Sequence, residues 1–249
     1  MTSQPRGEWG ERGFANGALY DAARPSYPAE ALEFFVATFE LGPTSWVLDL
    51  GAGSGIFSRQ FAPYVGRVIA VDPSASMRET LAATSPEIEV LDGRDTAIPL
   101  PNDSVDVVVV AQAFHWFDVE PALAEMHRVL VPGGGLGLIW NERDESTPWV
   151  RELSVAMGWD LHQPYRVGTD FRPEIARGPF EGIERHHFLH EQILSHDGLR
   201  QRVLSTSYIS LMGEVELAML MRDVQRVIHQ LPDPVVLPYR TDVYRAYAV

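Results

Sequence analysis

Short apolar runs rich in β-branched residues alternate with helix-like segments along much of the chain. The runs predict strands at residues 46–50, 67–72, 88–91, 105–111 and 136–140. Helices are expected over residues 56–62, from the capping box that Ser76 begins, and from Asp118 as N-cap to about Leu130. This alternation predicts a doubly wound α/β fold, with helices on both faces of a parallel sheet. Residues 105–111 are apolar on both faces, which predicts a central strand.

The alternation weakens in the last hundred or so residues. Residues 147–180 contain several Pro and Gly and predict short helices at most. A strand is expected over residues 183–192, two helices over 199–230, and a closing strand over 235–248. In the second of these helices the apolar residues recur at helical spacing, which favours a stripe facing the core over a membrane or partner helix. No linker forces a division, so a single domain over residues 1–249 is expected.

Composition narrows the range of functions. The 249 residues include no cysteine, which excludes disulfides, thiolate nucleophiles and cysteine-ligated metals. The 20 basic residues are all arginine and face 34 acidic ones, a net charge of −14 that disfavours a nucleic-acid substrate. The N-terminus has no apolar core of a secretory signal, and no run reaches the ~18 apolar residues that span a membrane. A cytoplasmic location is therefore the expectation.

A glycine-rich turn follows the first predicted strand in VLDLGAGSGIF, residues 47–57. Gly51, Gly53 and Gly55 let the backbone turn tightly and approach a ligand, and the helix behind them presents free N–H groups. Dinucleotide-binding turns have the spacing G-x-G-x-x-G, whereas here Ile56 stands where the third glycine is needed. The spacing therefore argues against a dinucleotide cofactor.

Two carboxylates accompany this turn. Asp72 ends the second predicted strand, where a carboxylate can accept hydrogen bonds from both hydroxyls of a ribose. Asp49 lies two residues before the first glycine, where its charge would repel phosphate and suit a cationic amino-acid group. Together these features indicate a nucleoside cofactor that has no pyrophosphate.

The chain resembles the class I S-adenosylmethionine-dependent methyltransferases of the small-molecule type. The resemblance rests on VLDLGAGSG (47–55), VIAVDPSASM (68–77), GRDTAIPLPNDSVDVVVVAQAFHWF (93–117) and HRVLVPGGGLGLIW (127–140). YDAARPSYP (20–28) and LPYRTDVYRAYAV (237–249) match as well, so it covers nearly the whole chain. It implies a Rossmann-like seven-stranded sheet, mostly parallel, whose last strand is antiparallel.

The resemblance also implies a set of cofactor contacts. The three glycines would line the methionine part of S-adenosylmethionine, Asp72 would hold the ribose, and Met77 would pack on the adenine. Asp95-Thr96 stands where relatives commonly carry Ala-Glu beside the adenine, and Arg24 could pair with the methionine carboxylate. The cofactor-binding residues expected in full are Tyr20, Arg24, Asp49, Gly51, Ala52, Gly53, Gly55, Asp72, Pro73, Met77, Asp95, Thr96 and Gln112.

His115 and Trp116 are the residues expected to face the methyl acceptor. They follow the carboxyl end of a central strand, where ligands bind in open α/β sheets. His115 is the candidate general base, which the reaction needs only if the nucleophile must lose a proton; a structural role is the alternative. Trp116 offers a π face to a sulfonium, worth about 0.5–2 kcal/mol. The histidines at 186, 187 and 190 do not form a metal-site pattern, so no metal is expected.

The function expected is methyl transfer to a small organic acceptor by in-line displacement, with S-adenosylhomocysteine as product. Residues 1–30 would cap the cofactor, and residues 147–180 and 192–232 would form a substrate lid. The alternative is a cofactor-binding protein or regulatory subunit without catalysis, with a dinucleotide oxidoreductase as a distant third. Neither nucleic acid nor a membrane is expected as a partner. O-, N- and C-methylation stay open, as does the oligomeric state.

Overall fold

The computed structural model describes residues 17–162 and 169–249. A seven-stranded sheet has the order β3-β2-β1-β4-β5-β7-β6. Its strands are β1 (Trp46–Leu50), β2 (Arg67–Asp72), β3 (Glu89–Asp92), β4 (Val105–Ala111), β5 (Leu130–Arg143), β6 (Phe180–Leu194) and β7 (Val235–Ala248). Six strands are parallel to one another, and β7 is antiparallel to its neighbours β5 and β6. The predicted fold class is confirmed, including the antiparallel last strand.

Helices flank the sheet and extend beyond one of its ends. They are α1 (Gly17–Ala23), α2 (Ala29–Thr38), α3 (Ile56–Phe61), α4 (Ala75–Thr84), α5 (Val119–Val129), α6 (Pro148–Ala156), α7 (Trp159–His162), α8 (Arg172–Ile175), α9 (His196–Leu204) and α10 (Glu214–Ile228). Short 3-10 turns occupy Ala62–Tyr64, Phe114–Trp116 and Ile209–Leu211.

The central position of β4 follows from its two apolar faces. Val108 and Val110 pack into a core that includes α5, whereas Val107 and Val109 pack into a core with α2 and α3 on the opposite face. All four valines are almost completely buried. A strand covered on both sides in this way carries its carboxyl end straight from the core to the rim of the sheet.

Several predicted boundaries need correction. The helix predicted from Ser76 begins at Ala75, and Ser74 is its N-cap; Ser76 lies in the first turn and accepts a hydrogen bond from Gly17 N (3.3 Å). The fifth strand is much longer than residues 136–140, since it begins at Leu130 directly after α5 and absorbs the three consecutive glycines. The strand predicted over 183–192 also extends at both ends, so a lid beginning at residue 192 would begin within β6.

A separate apolar cluster lies beyond the carboxyl end of β5. Helices α6, α9 and α10 contribute most of its buried side chains, and the first residues of β7 close it. Because β7 runs antiparallel to β5, pairing Tyr239 with Arg143, the beginning of β7 lies at the end of β5. These helices therefore stand over the sheet edge where parallel strands of this fold bind ligands.

Candidate active site

Two cavities open at the carboxyl ends of the strands. The first has a volume of about 1010 Å³, is open to solvent, and lies between the ends of β1, β2 and β4. The sequence-predicted residues on its wall are Tyr20, Gly51, Ala52, Gly53, Asp72, Pro73, Met77, Asp95, Gln112 and Trp116. The structure thus brings together most of the residues expected to hold the cofactor.

The glycine turn shapes the floor of this cavity. Gly51 and Gly53 both have left-handed backbone conformations, with φ of 73° and 57°. A Cβ on Gly51 would lie 2.7 Å from the Cβ of Ala113, so the turn packs closely against the end of β4. A Cβ on Gly53 would meet no atom within 4 Å. Gly53 lies on the cavity wall, so this open space leaves its backbone accessible to a ligand.

Asp72 connects the glycine turn to the end of β2. Its Oδ2 accepts a hydrogen bond from Gly53 N and its Oδ1 accepts one from Ser74 N, both at 2.8 Å. A carboxylate has about four acceptor positions, so each oxygen keeps one for a ligand. Burial raises the pKa of this carboxyl, although the two backbone N–H groups favour its ionised form. The carboxyl therefore both fixes the turn and offers acceptors to the cavity.

Asp49 has a different position from the one expected. It is fully buried, lies outside the cavity wall, and accepts a hydrogen bond at its Oδ2 from Ser58 Oγ (2.5 Å). Its Oδ1 has no hydrogen-bond partner among the described residues. Burial raises the pKa of Asp49 to about 7. The expected direct contact with the cofactor is not supported, because β1 is a central strand and turns this side chain towards α3.

Two further predicted contacts lie off the wall of the first cavity. Gly55 is the N-cap of α3, and a Cβ there would meet Leu81 Cγ at 2.6 Å, so this glycine allows helix packing. Thr96 is also absent from the wall, while its neighbour Asp95 is on it. Asp95 Oδ2 accepts a hydrogen bond from Asp118 N (3.0 Å).

The second cavity has a volume of about 760 Å³ and adjoins the first. Tyr20, Gln112 and Trp116 line both cavities. His115 lines the second cavity only. Arg24 also lines the second cavity and not the first, because its guanidinium lies over the Tyr20 ring at 4.5 Å and donates to Ser205 O. The expected pairing of Arg24 with the cofactor is therefore not supported by its position.

Gln112 separates the two cavities with a strained backbone. Its φ of 59° is in the left-handed region, which side chains other than glycine seldom adopt. The conformation is held by hydrogen bonds from its backbone N to Ile139 O (3.0 Å) and from its Nε2 to Asn141 O (2.9 Å). Strain of this kind, of about 1–3 kcal/mol, is concentrated at functional sites.

The aromatic segment after β4 divides its side chains between core and cavity. Phe114 is 1% exposed and packs edge-to-face on Phe117 and Phe171. His115 and Trp116 are half-buried, with ring centroids 4.6 Å apart. The 3-10 turn thus anchors the segment through Phe114 while its next two side chains reach the cavity.

Sequence reasoning missed other residues of the second cavity, chiefly Arg143 at the end of β5 and Arg202 in α9. Arg143 follows a predicted strand, so the rule that ligands bind at strand ends could have found it. Arg202 carries no comparable signal, because an arginine in a helix is normally exposed. Here it is only 6% exposed, and its Nε donates to Tyr239 Oη (3.0 Å).

Within residues 17–162 and 169–249, no helix is both long enough and apolar enough to cross a membrane. Over the same ranges, no three His, Asp or Glu side chains converge closely enough to hold a metal ion.

Comparison with known proteins identifies the family. Residues 48–138 match the family described as methyltransferase domain. An uncharacterized methyltransferase of Mycobacterium tuberculosis is 42% identical over 196 residues, which cover 79% of this chain and 76% of the relative. The chain belongs to the class I S-adenosylmethionine-dependent methyltransferases. This confirms the resemblance found in the sequence.

Other relatives agree with this assignment. An uncharacterized methyltransferase-like protein of Schizosaccharomyces pombe is 43% identical to this methyltransferase over 142 residues, covering 57% of this chain and 56% of the relative. The crystal structure of the YcgJ protein from Bacillus subtilis superposes with a TM-score of 0.58 at 18% identity, covering 89% of this methyltransferase and 99% of that chain. At that identity the superposition supports the fold alone.

Proposed function

We propose that this methyltransferase binds S-adenosylmethionine in the first cavity and transfers its methyl group to a small organic acceptor in the second. The observation that carries the proposal is the shared wall: Tyr20, Gln112 and Trp116 line both cavities. In-line displacement requires donor and acceptor to meet at close range, and two adjoining cavities with a common rim meet that requirement.

The first cavity suits the cofactor in its chemistry. Asp72 keeps two acceptor positions for the ribose hydroxyls, and the backbone at Gly53 is open to a ligand. Apolar side chains, including Met77 and Phe117, provide walls for an adenine ring. The bound cofactor would supply a methyl group already activated by a sulfonium.

The remaining catalytic work falls to the protein's own side chains. Trp116 and Tyr20 present aromatic groups at the junction, where a π face stabilises a cation by about 0.5–2 kcal/mol. His115 lies on the acceptor side, within the same 3-10 turn as Trp116. There it can take a proton from an acceptor hydroxyl or amine as the methyl group is transferred. Lid helices α6, α9 and α10 would exclude water from this step.

The cofactor assignment is tested by Asp72→Ala. Losing the ribose acceptor should weaken S-adenosylmethionine binding by roughly 1–3 kcal/mol, measured by isothermal titration calorimetry. Asp92→Ala is the matched control, because Asp92 ends the neighbouring strand β3, lies off the cavity wall and pairs with Arg78 at the surface.

Asp72 also holds the N–H groups of Gly53 and Ser74, so the titration needs a folding control. Circular dichroism and thermal unfolding of the unliganded variant provide it. Unchanged affinity in folded Asp72→Ala would refute the assignment. Cofactor binding without formation of S-adenosylhomocysteine on any acceptor of a broad library would instead favour a binding protein without catalysis.

A further inference from the structure

We propose that the second cavity recognises the acceptor through a carboxylate, so that the substrate is a small organic acid. The inference deepens the proposed function and rests on it. The feature that carries it is a set of three arginines, Arg24, Arg143 and Arg202, which we call the arginine triad. The triad comes from three distant parts of the chain, namely the segment after α1, the end of β5 and α9.

Among the described residues, the triad has few hydrogen-bond partners. Its guanidinium groups donate to Ser205 O, Ser154 Oγ and Tyr239 Oη, one hydrogen bond each. Three guanidiniums carry about fifteen N–H hydrogens, so most of these donors have no partner among the described residues. Arg24 Nε, Arg143 Nε and Arg202 Nη1 are buried without any hydrogen-bond partner among the described residues. Buried donors of this kind are uncommon in proteins unless a ligand satisfies them.

No described carboxylate forms an ion pair with the triad. Glu142 and Glu145 line the same cavity, but each is held by another arginine: Glu142 by Arg240 (2.9 Å) and Glu145 by Arg151 (2.5 Å). Even if both carboxylates are counted, the lining keeps an excess of one positive charge. Buried charges are normally paired, so this excess points to an anion supplied from outside.

The pKa shifts of Arg24 and Arg143 agree with a site for an anion. Burial lowers the pKa of Arg24 to about 10, and repulsion from Arg202 and Arg143 acts in the same direction. Burial also lowers the pKa of Arg143, again with a contribution from Arg202. The guanidiniums of Arg24 and Arg143 thus lie where their charge is unfavourable until an anion arrives. The chain as a whole has a net charge of −14, so this cavity is a local exception to its surroundings.

Aromatic groups hold the triad in fixed orientations. The Arg24 guanidinium lies 4.5 Å from the centroid of the Tyr20 ring, and that of Arg143 lies 4.5 Å from the centroid of Trp159. Arg202 is anchored through its Nε on Tyr239. A guanidinium stacked on a ring keeps its N–H edge available, and that planar edge matches a carboxylate in two parallel hydrogen bonds.

The test measures how anions change the thermal unfolding of the full chain. Benzoate and citrate are the carboxylate probes, benzamide is the neutral counterpart of benzoate, and phosphate is the competing anion, all against chloride at matched ionic strength. We expect the carboxylates to raise the unfolding midpoint and benzamide to leave it unchanged. Arg143→Met and Arg202→Met should each weaken the apparent carboxylate affinity by roughly tenfold or more.

Arg222→Met is the matched control, because it removes one positive charge from an exposed position on α10, off the cavity wall. It should keep the response to carboxylates. Equal responses to benzoate and benzamide, a response confined to phosphate, or a carboxylate response that survives in both cavity variants would overturn the inference. The shift that S-adenosylhomocysteine causes in the unfolding midpoint of the same samples is measured as a separate result. Its absence would contradict the proposed function, whereas its presence without a carboxylate response would contradict only the arginine triad.

Discussion

Asp49 is a carboxyl group buried without an ion partner among the described residues, and replacing it with asparagine should stabilise the protein near neutral pH. Burial raises its pKa from 3.8 to about 7. Because the folded-state pKa is the higher one, ionisation opposes folding. The unfavourable contribution is absent below about pH 4, grows between the two pKa values, and is complete above about pH 7.

The magnitude follows from those two pKa values. At about 1.4 kcal/mol for each pKa unit, the raised pKa of Asp49 lowers the free energy of unfolding by about 4 kcal/mol near pH 8 and by about 2 kcal/mol near pH 5. Asparagine keeps the shape and an oxygen that can accept from Ser58 Oγ. The buried NH₂ of asparagine lowers the stability gained by this substitution, by a similar amount at both pH values. The free energy of unfolding of Asp49→Asn, relative to that of the wild type, should therefore increase by about 2 kcal/mol between pH 5 and pH 8.

Urea unfolding of the unliganded protein at the two pH values measures this difference. Glu87→Gln is the control for loss of one negative charge, since Glu87 is exposed in the turn before β3. It should give nearly equal, small changes at both pH values. An advantage of Asp49→Asn that stays constant or shrinks as the pH rises would refute the reasoning, because it would mean that the buried carboxyl does not titrate in this window.

Two further predictions concern the junction of the cavities. If His115 is the base, His115→Ala should lower turnover on the acceptor by about 10²–10⁴-fold while leaving cofactor affinity within about twofold. His187→Ala, at an exposed position, is the control. Equal turnover in both variants would contradict this role. Gln112→Ala should destabilise the protein by about 1 kcal/mol through the lost hydrogen bond to Asn141. Gln112→Val should cost about 1–2 kcal/mol more, because a β-branched side chain fits the left-handed backbone poorly. Urea unfolding would detect the difference, and equal stabilities would argue against strain at this position.

The sheet was predictable because its signals are local. The runs at β1, β2, β4 and β7 gave the strand bounds to the residue, since a buried strand needs continuous apolar or alternating sequence. The bounds of β5 and β6 were too short. Three consecutive glycines indicate a loop, yet in β5 they extend the strand. At the last of them, Gly135, the ring of Phe39 from the C-cap of α2 packs where a side chain would stand.

The wall of the first cavity was also largely predictable, since most of its residues lie at the ends of β1 to β4 or in the segments that follow them. The exceptions share a physical cause. The sequence indicates which residues surround the turn but not which way each faces. Asp49 and Gly55 were therefore expected on the wall, although the Asp49 side chain turns towards Ser58 and Gly55 packs against Leu81. The contact expected from Asp95-Thr96 falls on Asp95.

The second cavity could be predicted only where it touches the sheet. His115 and Trp116 follow β4, and the rule for strand ends located them. Arg202 reaches the cavity only because α9 packs against β7, a contact between parts of the chain that no local pattern joins. The predictions for residues 1–16 and 163–168, within the predicted cap and lid, concern parts of the chain that the structure does not describe.

The separate origins of the two cavities matter for engineering. The first is built almost wholly from residues 50–117, whereas the second takes Arg143, Trp159 and Arg202 from later segments. Only Tyr20, Gln112 and Trp116 belong to both. Under the proposed function, mutant libraries restricted to the later segments should therefore diversify the accepted substrates while leaving the first cavity intact.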